Sequence, residues 1–173
     1  MKITCDSCAN CKICRDICCY YGKNEQECSP IFTKENAEKI EKKFGKKIFK
    51  PFENSKRIFQ LKLIKSKKPS IYICPFFDEE TKKCTIYNLR PLDCILFPFT
   101  LVRRNGKIYL GIVNEKMCPP MKNVTKEDIE NAKKILIKKI KKEKIGDVFR
   151  KYPDLILDYE NVALLEKIDL DKI

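Results

Sequence analysis

The sequence predicts a small α+β domain in which a short antiparallel sheet and two or more helices pack around a cysteine-lined centre. Three observations predict this fold. Two capped helical patterns predict the helices, and one hairpin pattern predicts part of the sheet. The cysteine-lined centre is predicted by the 11 cysteines, without histidine, among the 173 residues. A chain of this length can bury one modest hydrophobic core. We therefore expect one domain over residues 1–173, with a cysteine-rich segment at 1–30 and a helical part at 125–173.

The first helix is predicted directly after the cysteine-rich segment. Thr33 is a residue type that caps helix N-termini, the segment from Lys34 to Phe44 follows it, and Gly45 is typical of a helix end. We expect the 1–30 segment before it to form loops and short turns, since it shows neither a helical nor a strand period.

Short strands are predicted in the middle of the chain. Apolar, β-branched and aromatic residues favour strands at 58–63 and 71–74, and a short strand at 84–87 that pairs back. Asn88 can cap a short helical turn that has Pro91 in its first turn and ends near Cys94.

The clearest local signal is a β-hairpin. Asn105-Gly106 is the preferred two-residue tight turn, and it is flanked by the apolar-rich segments Phe99 to Arg104 and Lys107 to Val113. Two strands joined by this turn are therefore expected.

A long helix is predicted after the hairpin. Thr125 followed by Asp128 is a helix-start pattern, and the helix should run to about Lys144. The spacing of its apolar residues predicts a buried face, made of Ile129, Ala132, Leu136 and Ile140. We expect the remaining tail to contain a short extended piece at 155–157 and a helix at 162–168.

The cysteine content indicates metal binding in a reducing compartment. The N-terminal residues Met1 to Thr4 lead straight into cysteines without an apolar segment, so a signal peptide is not expected. No apolar run is long enough to cross a membrane. We therefore expect a cytoplasmic protein, in which free thiols at this density usually bind metal. The lack of histidine excludes a histidine-based triad, an imidazole base and an imidazole metal ligand.

The N-terminal cysteines have the spacing of metal ligands. Cys8, Cys11, Cys14 and Cys18 reproduce the C-x2-C-x2-C-x3-C run of bacterial ferredoxins, although Cys19 stands where those proteins have proline. Zinc knuckles use the same two-residue gap. Side chains of adjacent residues tend to diverge, so Cys18 and Cys19 favour either two sites, or one ligand and one spare. The competing interpretation is that some of these cysteines are buried as small apolar residues.

The segment from Cys84 to Pro98 carries a resemblance to a known family. It reads Cys-Thr-Ile-Tyr-Asn-Leu-Arg-Pro-Leu-Asp-Cys-Ile-Leu-Phe-Pro, and it resembles the central motif of a cysteine-cluster family named for a C-x2-C-x2-C-C motif and described as zinc- or iron-chelating. Cys74 and Cys118-Pro119 match the upstream and late cysteines of that family. The opening motif falls at Cys11 to Cys19, with three residues rather than two before the adjacent pair.

The resemblance implies eight metal ligands, enough for two four-thiolate sites or for one cluster with supporting thiols. They are Cys11, Cys14, Cys18, Cys19, Cys74, Cys84, Cys94 and Cys118. Cys5, Cys8 and Cys28 are surplus to the family pattern, and Cys8 and Cys5 are the alternates if the ferredoxin-like register is the right one. The family is also similar in its cysteine pattern to flagellin lysine methylases, which implies a cluster-dependent methylase as an alternative.

The leading expectation is a [4Fe–4S] cluster in a structural or redox role, with Zn²⁺ as the alternative. The chain carries 37 Lys+Arg against 24 Asp+Glu, a formal net charge of +13. A basic nucleic-acid-binding module is therefore a further alternative, although lysines spread over two helices favour a solvated surface. Any partner or substrate protein is undefined by the sequence.

Overall fold

The structure, a computed structural model, describes residues 17–159 and 161–173. Among these residues, 17–95 belong to one compact unit and those from 96 onward to a second. Both units combine helices with small antiparallel sheets, so the α+β prediction is confirmed. The single-domain expectation stays a prediction.

The first unit contains eight short strands among its described residues. They are β1 (Tyr20–Gly22), β2 (Ile31–Thr33), β3 (Phe49–Pro51), β4 (Ile58–Leu61), β5 (Ile64–Lys65), β6 (Ile71–Ile73), β7 (Phe77–Asp78) and β8 (Lys83–Cys84). They form a sheet of order β1-β6-β5, a sheet of order β2-β4-β3 and the two-stranded β7-β8 pair. All of these pairings are antiparallel.

Helix α1 (Lys34–Phe44) has the predicted bounds and caps. The Thr33 side chain accepts a hydrogen bond from the Asn36 amide, which satisfies one of the free N–H groups of the first turn. Gly45 ends the helix in the left-handed conformation with φ 65° and donates its N–H to the Glu41 carbonyl. Residues without a Cβ adopt this conformation at little cost, which explains glycine at this position.

Aromatic and aliphatic side chains from α1 and several strands form the core of the first unit. The buried members are Phe32, Ala37, Ile40, Phe49, Leu61, Phe76 and Ile86. Cys74 and Cys84 are half-buried and pack against this core. Helix α2 (Leu92–Leu96) follows and carries Cys94.

The second unit contains the predicted hairpin with the predicted bounds. Strands β9 (Phe99–Arg104) and β10 (Lys107–Val113) pair in antiparallel register. Asn105 and Gly106 both have positive φ, 50° and 72° respectively. Positive φ at both central residues matches the twist of the flanking strands, which is why the Asn-Gly signal is strong.

Helix α3 (Lys126–Lys142) also begins where the sequence predicts. The Thr125 side chain accepts from the Asp128 amide while the Asp128 carboxylate accepts from the Thr125 amide. Of the predicted buried face, Ala132, Leu136 and Ile140 are buried and Ile129 is half-buried. Helix α4 (Ile145–Lys151) follows. Within the described part of the chain, no helix combines the length and apolar character needed to span a membrane.

The helix predicted at 162–168 is wrong, because Val162–Lys167 forms strand β11. β11 pairs antiparallel with β10, and the three-stranded sheet has the order β11-β10-β9. A seven-residue segment is too short to hold a helix by itself, so pairing with an existing edge decides its conformation. Gly111 permits this pairing, since a Cβ there would lie 2.2 Å from the Val162 Cγ1 atom.

Other boundaries differ in smaller ways. The 58–63 strand ends at Leu61, and the 84–87 strand is Lys83–Cys84 followed by a 3₁₀ turn at Tyr87–Leu89. Within the cysteine-rich segment, Tyr20–Gly22 is a strand rather than a loop. The rest of that segment before Ile17 lies outside the described residues.

Gly111→Ala should destabilise the protein by about 1–3 kcal/mol, because the added methyl group overpacks against Val162. Chemical denaturation followed by circular dichroism would measure this cost. The same substitution made in a Val162→Ala background should cost much less, since the nearest contacts would then be the Ala163 carbonyl at 3.4 Å and Val102 at 3.6 Å. Equal costs in the two backgrounds would contradict the close β10–β11 approach.

Candidate metal centre

The described cysteines lie in both units. Cys18, Cys19, Cys28, Cys74, Cys84 and Cys94 lie in the first unit, and Cys118 lies in the second. The predicted ligands Cys11 and Cys14 and the alternates Cys5 and Cys8 lie outside the described residues. The description of the candidate centre therefore rests on the first unit.

Strand pairing brings Cys19 beside Cys74. In the β1–β6 ladder Tyr20 lies opposite Ile73, and the Cys74 amide donates to the Cys19 carbonyl over 3.0 Å. Cys19 ends the 3₁₀ turn Ile17–Cys19 that leads into β1, and Cys74 directly follows β6. This hydrogen bond therefore holds together the two backbone segments that carry the thiols.

The chain after Cys74 folds back on its thiol. The backbone amides of Phe76 and Phe77 hydrogen-bond to the sulfur, and the Phe77 amide also lies 2.9 Å from the Cys74 carbonyl. Burial raises the pKa of the Cys74 thiol to about 12, the Phe76 amide lowers it, and the nearby Cys84 raises it further. Amide donors aimed at a sulfur stabilise its thiolate form, which is the form that binds metal.

The β7–β8 pair and helix α2 supply two more thiols. Cys84 lies opposite Phe77 in the β7–β8 register, which places it next to the turn that follows Cys74. Cys94 is in α2, and its amide donates to the Pro91 carbonyl over 3.1 Å. Three separate segments after β1 thus approach the same region of the first unit.

The thiols of this region influence one another electrostatically. The pKa of Cys19 is raised first by burial and then by the charges of Cys74, Cys94, Cys18 and Cys84. The pKa of Cys94 is likewise raised well above its ordinary value, by burial and then by Asp93, Cys74 and Cys84, while Arg90 lowers it. Five thiols from four chain segments therefore share one weakly screened environment. We define Cys18, Cys19, Cys74, Cys84 and Cys94 as the thiol group.

Arg90 is held next to the thiol group by Tyr87. Its guanidinium carbon lies 3.8 Å from the centre of the Tyr87 ring, and its Nε donates to the Tyr87 carbonyl over 3.1 Å. The second contact is a hydrogen bond from a side chain to a backbone carbonyl, which also stabilises the turn Tyr87–Leu89. The same positive charge also favours the thiolate of Cys94.

The thiols are grouped, but they do not form a finished ligand set. Among residues 17–159 and 161–173, no three Cys, Asp or Glu side chains are close enough together to hold a metal ion. The cysteine-lined metal centre that belongs to the predicted fold is therefore not seen in the described residues. The thiols interact through their charges, and binding an ion would require their side chains to converge.

Three described cysteines differ from Cys19, Cys74, Cys84 and Cys94 in their surroundings. They are Cys18, Cys28 and Cys118. Cys18 is exposed, whereas its neighbour Cys19 is half-buried. Cys28 is exposed by surface area, and partial desolvation of its thiol by neighbouring atoms raises its pKa, followed by the charges of Glu25 and Glu27. Cys118 is 7% exposed and precedes the turn Pro119–Asn123 of the second unit.

Two residues of this region escape prediction from the sequence. The pKa of Tyr21 is raised by burial and then by Cys94, Cys74, Cys19 and Cys18, so its ring lies beside the thiol group. The Asp93 carboxylate accepts a hydrogen bond from the Ile31 amide over 3.1 Å, and burial raises its pKa to about 6. The adjacency of Asp93 to Cys94 in the sequence is a signal, but its partner on β2 is not visible without the fold.

The known proteins that match this chain include one with a short region of similarity. A stretch of 37 residues is 54% identical to part of an uncharacterised protein of Methanocaldococcus jannaschii. The match covers 21% of this chain and 20% of that protein, so the chain spans about a fifth of the relative that it matches. No family model matches the chain. No solved structure matches it either.

Asp93→Ala should destabilise the protein by about 1–3 kcal/mol, because it leaves the Ile31 amide without its acceptor at a buried edge of β2. Asp93→Asn is the matched control, since its side-chain oxygen can still accept that hydrogen bond. Urea titration of both variants would measure the difference. If the two variants lost equal stability, the carboxylate charge rather than the hydrogen bond would be the important feature.

Proposed function

We propose that the first unit is a metal-binding module whose thiolates hold a [4Fe–4S] cluster in a structural or redox role. The ligands that the described residues favour are Cys19, Cys74, Cys84 and Cys94. The observation that carries the proposal is their electrostatic coupling. Cys74, Cys94 and Cys84 raise the pKa of Cys19, Cys84 raises that of Cys74, and Cys74 and Cys84 raise that of Cys94. A cluster bound there would supply electron storage or a covalent link between the four segments.

The chemistry of the donors supports a cation in this place. Several thiolates in a partly buried region repel one another, and burial raises the pKa of the Cys19 and Cys94 thiols. The Arg90 guanidinium favours the Cys94 thiolate, because its positive charge lowers the pKa of that thiol. Binding iron or zinc removes the repulsion, because the thiol protons are released and the metal cation neutralises the resulting thiolates.

The local backbone at Cys74 supports thiolate ligation in particular. Two amide donors on one sulfur stabilise its negative charge, both when the thiol loses its proton and when the thiolate binds a metal. Hydrogen bonds to cluster sulfurs are also a means by which proteins set the reduction potential of iron–sulfur centres. The amides of Phe76 and Phe77 are the donors that would act in this way.

Iron–sulfur is favoured over zinc by the donor supply of the whole chain. The sequence offers 11 thiols and no imidazole, which suits clusters that are ligated by cysteine. Four thiolates also satisfy tetrahedral zinc, so zinc is the second candidate. The resemblance of the Cys84 to Pro98 segment to a zinc- or iron-chelating family agrees with either metal.

The other predicted ligands keep the status of predictions. Cys11, Cys14 and Cys18 would belong to the N-terminal part of the same centre or to a second one. Cys118 belongs to the second unit. The count of metal sites follows from a stoichiometry measurement rather than from the described thiols.

Protein produced in iron-replete cells and purified without oxygen should be brown and should contain iron and acid-labile sulfide. Metal analysis together with the visible absorption spectrum measures this. Colourless protein with stoichiometric zinc and no sulfide would replace the cluster by the zinc alternative. Protein that takes up neither metal after anaerobic reconstitution would contradict the proposal.

Cys84→Ser and Cys94→Ser should each lower the bound metal severalfold and reduce the thermal stability of the metal-loaded protein. Cys28→Ser is the matched control, because its thiol is exposed and is influenced by two glutamates rather than by the thiol group. The measurement is metal content per chain after identical anaerobic reconstitution. Equal metal loss in all three variants would show that the thiol group is not the binding site.

A further inference from the structure

The positive charge of α3 is concentrated in its C-terminal part. The acidic residues of the helix, Glu127, Asp128 and Glu130, all lie in its first five positions. From residue 131 to the end of the helix, the sequence has six lysines and no acidic residue. The lysines are Lys133, Lys134, Lys138, Lys139, Lys141 and Lys142. This part of α3 therefore carries unbalanced positive charge along roughly three helical turns.

Four exposed lysines form one surface of α3, which we call the lysine face. They are Lys134, Lys138, Lys141 and Lys142. Lys138 lies four residues after Lys134, and the other two lie three and four residues after Lys138. Positions three or four residues apart are neighbours on one side of a helix. The opposite side of α3 is buried through Ala132, Leu136 and Ile140. The lysine face extends roughly 12 Å along the helix axis, at a rise of about 1.5 Å per residue.

The charges of the lysine face are not neutralised within the described part of the chain. Lys133, which is not a member of the face, forms ion pairs with Glu130 at 2.9 Å and with Glu166 at 3.2 Å. No ion pair joins a member of the lysine face to another described residue. Like charges four residues apart on a helix repel each other. The lysine face is therefore electrostatically unfavourable until an anion neutralises it.

The helix dipole accounts for only part of this charge. Cations interact favourably with the free carbonyls of the last helical turn, and the effect is limited to that turn. The last turn of α3 carries Lys139, Lys141 and Lys142. Lys134 and Lys138 lie before it, so the dipole does not explain their presence on the exposed side of the helix.

We propose that the lysine face binds the phosphate backbone of a double-stranded nucleic acid. Lysine ammonium groups attract phosphate oxygens, and the release of counterions from the nucleic acid favours binding at low salt. α3 contains no arginine, the residue that most often makes specific contacts to base edges. We therefore expect binding that is independent of base sequence. The inference does not depend on the proposed metal centre, because α3 and the thiol group belong to different units.

The composition of α3 favours a duplex over other polyanions. Proteins that bind single strands stack the bases on aromatic side chains, and α3 contains no aromatic residue. A helix that lies on an anionic membrane inserts a broad apolar face. The apolar residues Ala132, Leu136 and Ile140 of α3 are buried within the protein. Ile135, which is 52% exposed, offers only one apolar side chain for insertion.

The test measures binding of the full chain, purified without oxygen, to short fluorescein-labelled duplexes by fluorescence anisotropy. Two DNA duplexes of unrelated sequence and one RNA duplex are the probes, because both nucleic acids present the same phosphate chemistry. The expected result is binding to at least one of the two nucleic acids, with similar affinity for the two DNA sequences. The logarithm of the association constant should fall with the logarithm of the salt concentration at a slope of about −3 to −4, as four phosphate contacts require.

Replacing all four lysines of the face by glutamine should weaken duplex binding about tenfold or more at low salt and should nearly abolish the salt dependence. Glutamine is a good helix former, so α3 should stay folded, which circular dichroism would check. The matched control removes the same number of exposed lysines in and directly after α1, a helix in which glutamates alternate with lysines. Its substitutions are Lys39→Gln, Lys42→Gln, Lys43→Gln and Lys46→Gln. The control should lower the affinity by about threefold at most, since salt screens charges outside the binding surface.

Several results would overturn the proposal. The first is the absence of salt-dependent binding to every duplex, and the second is an equal loss of affinity in the α3 variant and the α1 control. Tighter binding to single strands, or to vesicles that contain phosphatidylserine, would assign the lysine face to a different polyanion. A strong preference for one of the two DNA sequences would contradict binding through the backbone alone.

Discussion

One backbone hydrogen bond, from the Cys74 amide to the Cys19 carbonyl, determines which thiols of the first unit meet. It joins the residue before β1 to the residue after β6, next to the Tyr20–Ile73 pair of the ladder. The turn after Cys74 then directs two amides at its sulfur, and β7 and β8 bring Cys84 to the same place. This pairing fixes the backbone position of Cys19 relative to the cysteines in the middle of the chain.

The protonation of these thiols sets the balance between the metal-free and metal-bound forms. Burial and mutual charge raise the pKa values of Cys19, Cys74 and Cys94, so the metal-free first unit holds them as neutral thiols. Neutral thiols are compatible with packing against an apolar core, where Cys74 and Cys84 lie. A metal must displace these protons, which couples binding to proton release. The free energy needed to ionise the thiols is therefore supplied by metal binding.

Elements specified by local chemistry could be predicted from the sequence, and elements specified by distant partners could not. Helix α1, the β9–β10 hairpin and the start of α3 each have caps or turn residues within a few positions, and each has the predicted bounds. Strand β11 depends on pairing with the edge of β10 and on the small size of Gly111. Its local sequence alone therefore predicts a helix incorrectly. Pairing across long sequence distances overrides local preference.

The candidate centre shows the same difference between what local sequence predicts and what distant contacts determine. Cysteine spacing identifies residues that resemble ligands, but spacing does not show which of them face one another. The fold groups Cys19 with Cys74, Cys84 and Cys94, leaves Cys28 exposed, and places Cys118 in the other unit. Asp93 illustrates what spacing omits, because its hydrogen bond to the Ile31 amide ties α2, and with it Cys94, to β2. A thiol becomes a candidate ligand through the backbone that positions it, and for Cys94 that backbone is positioned by the hydrogen bond of Asp93, which is not itself a proposed ligand.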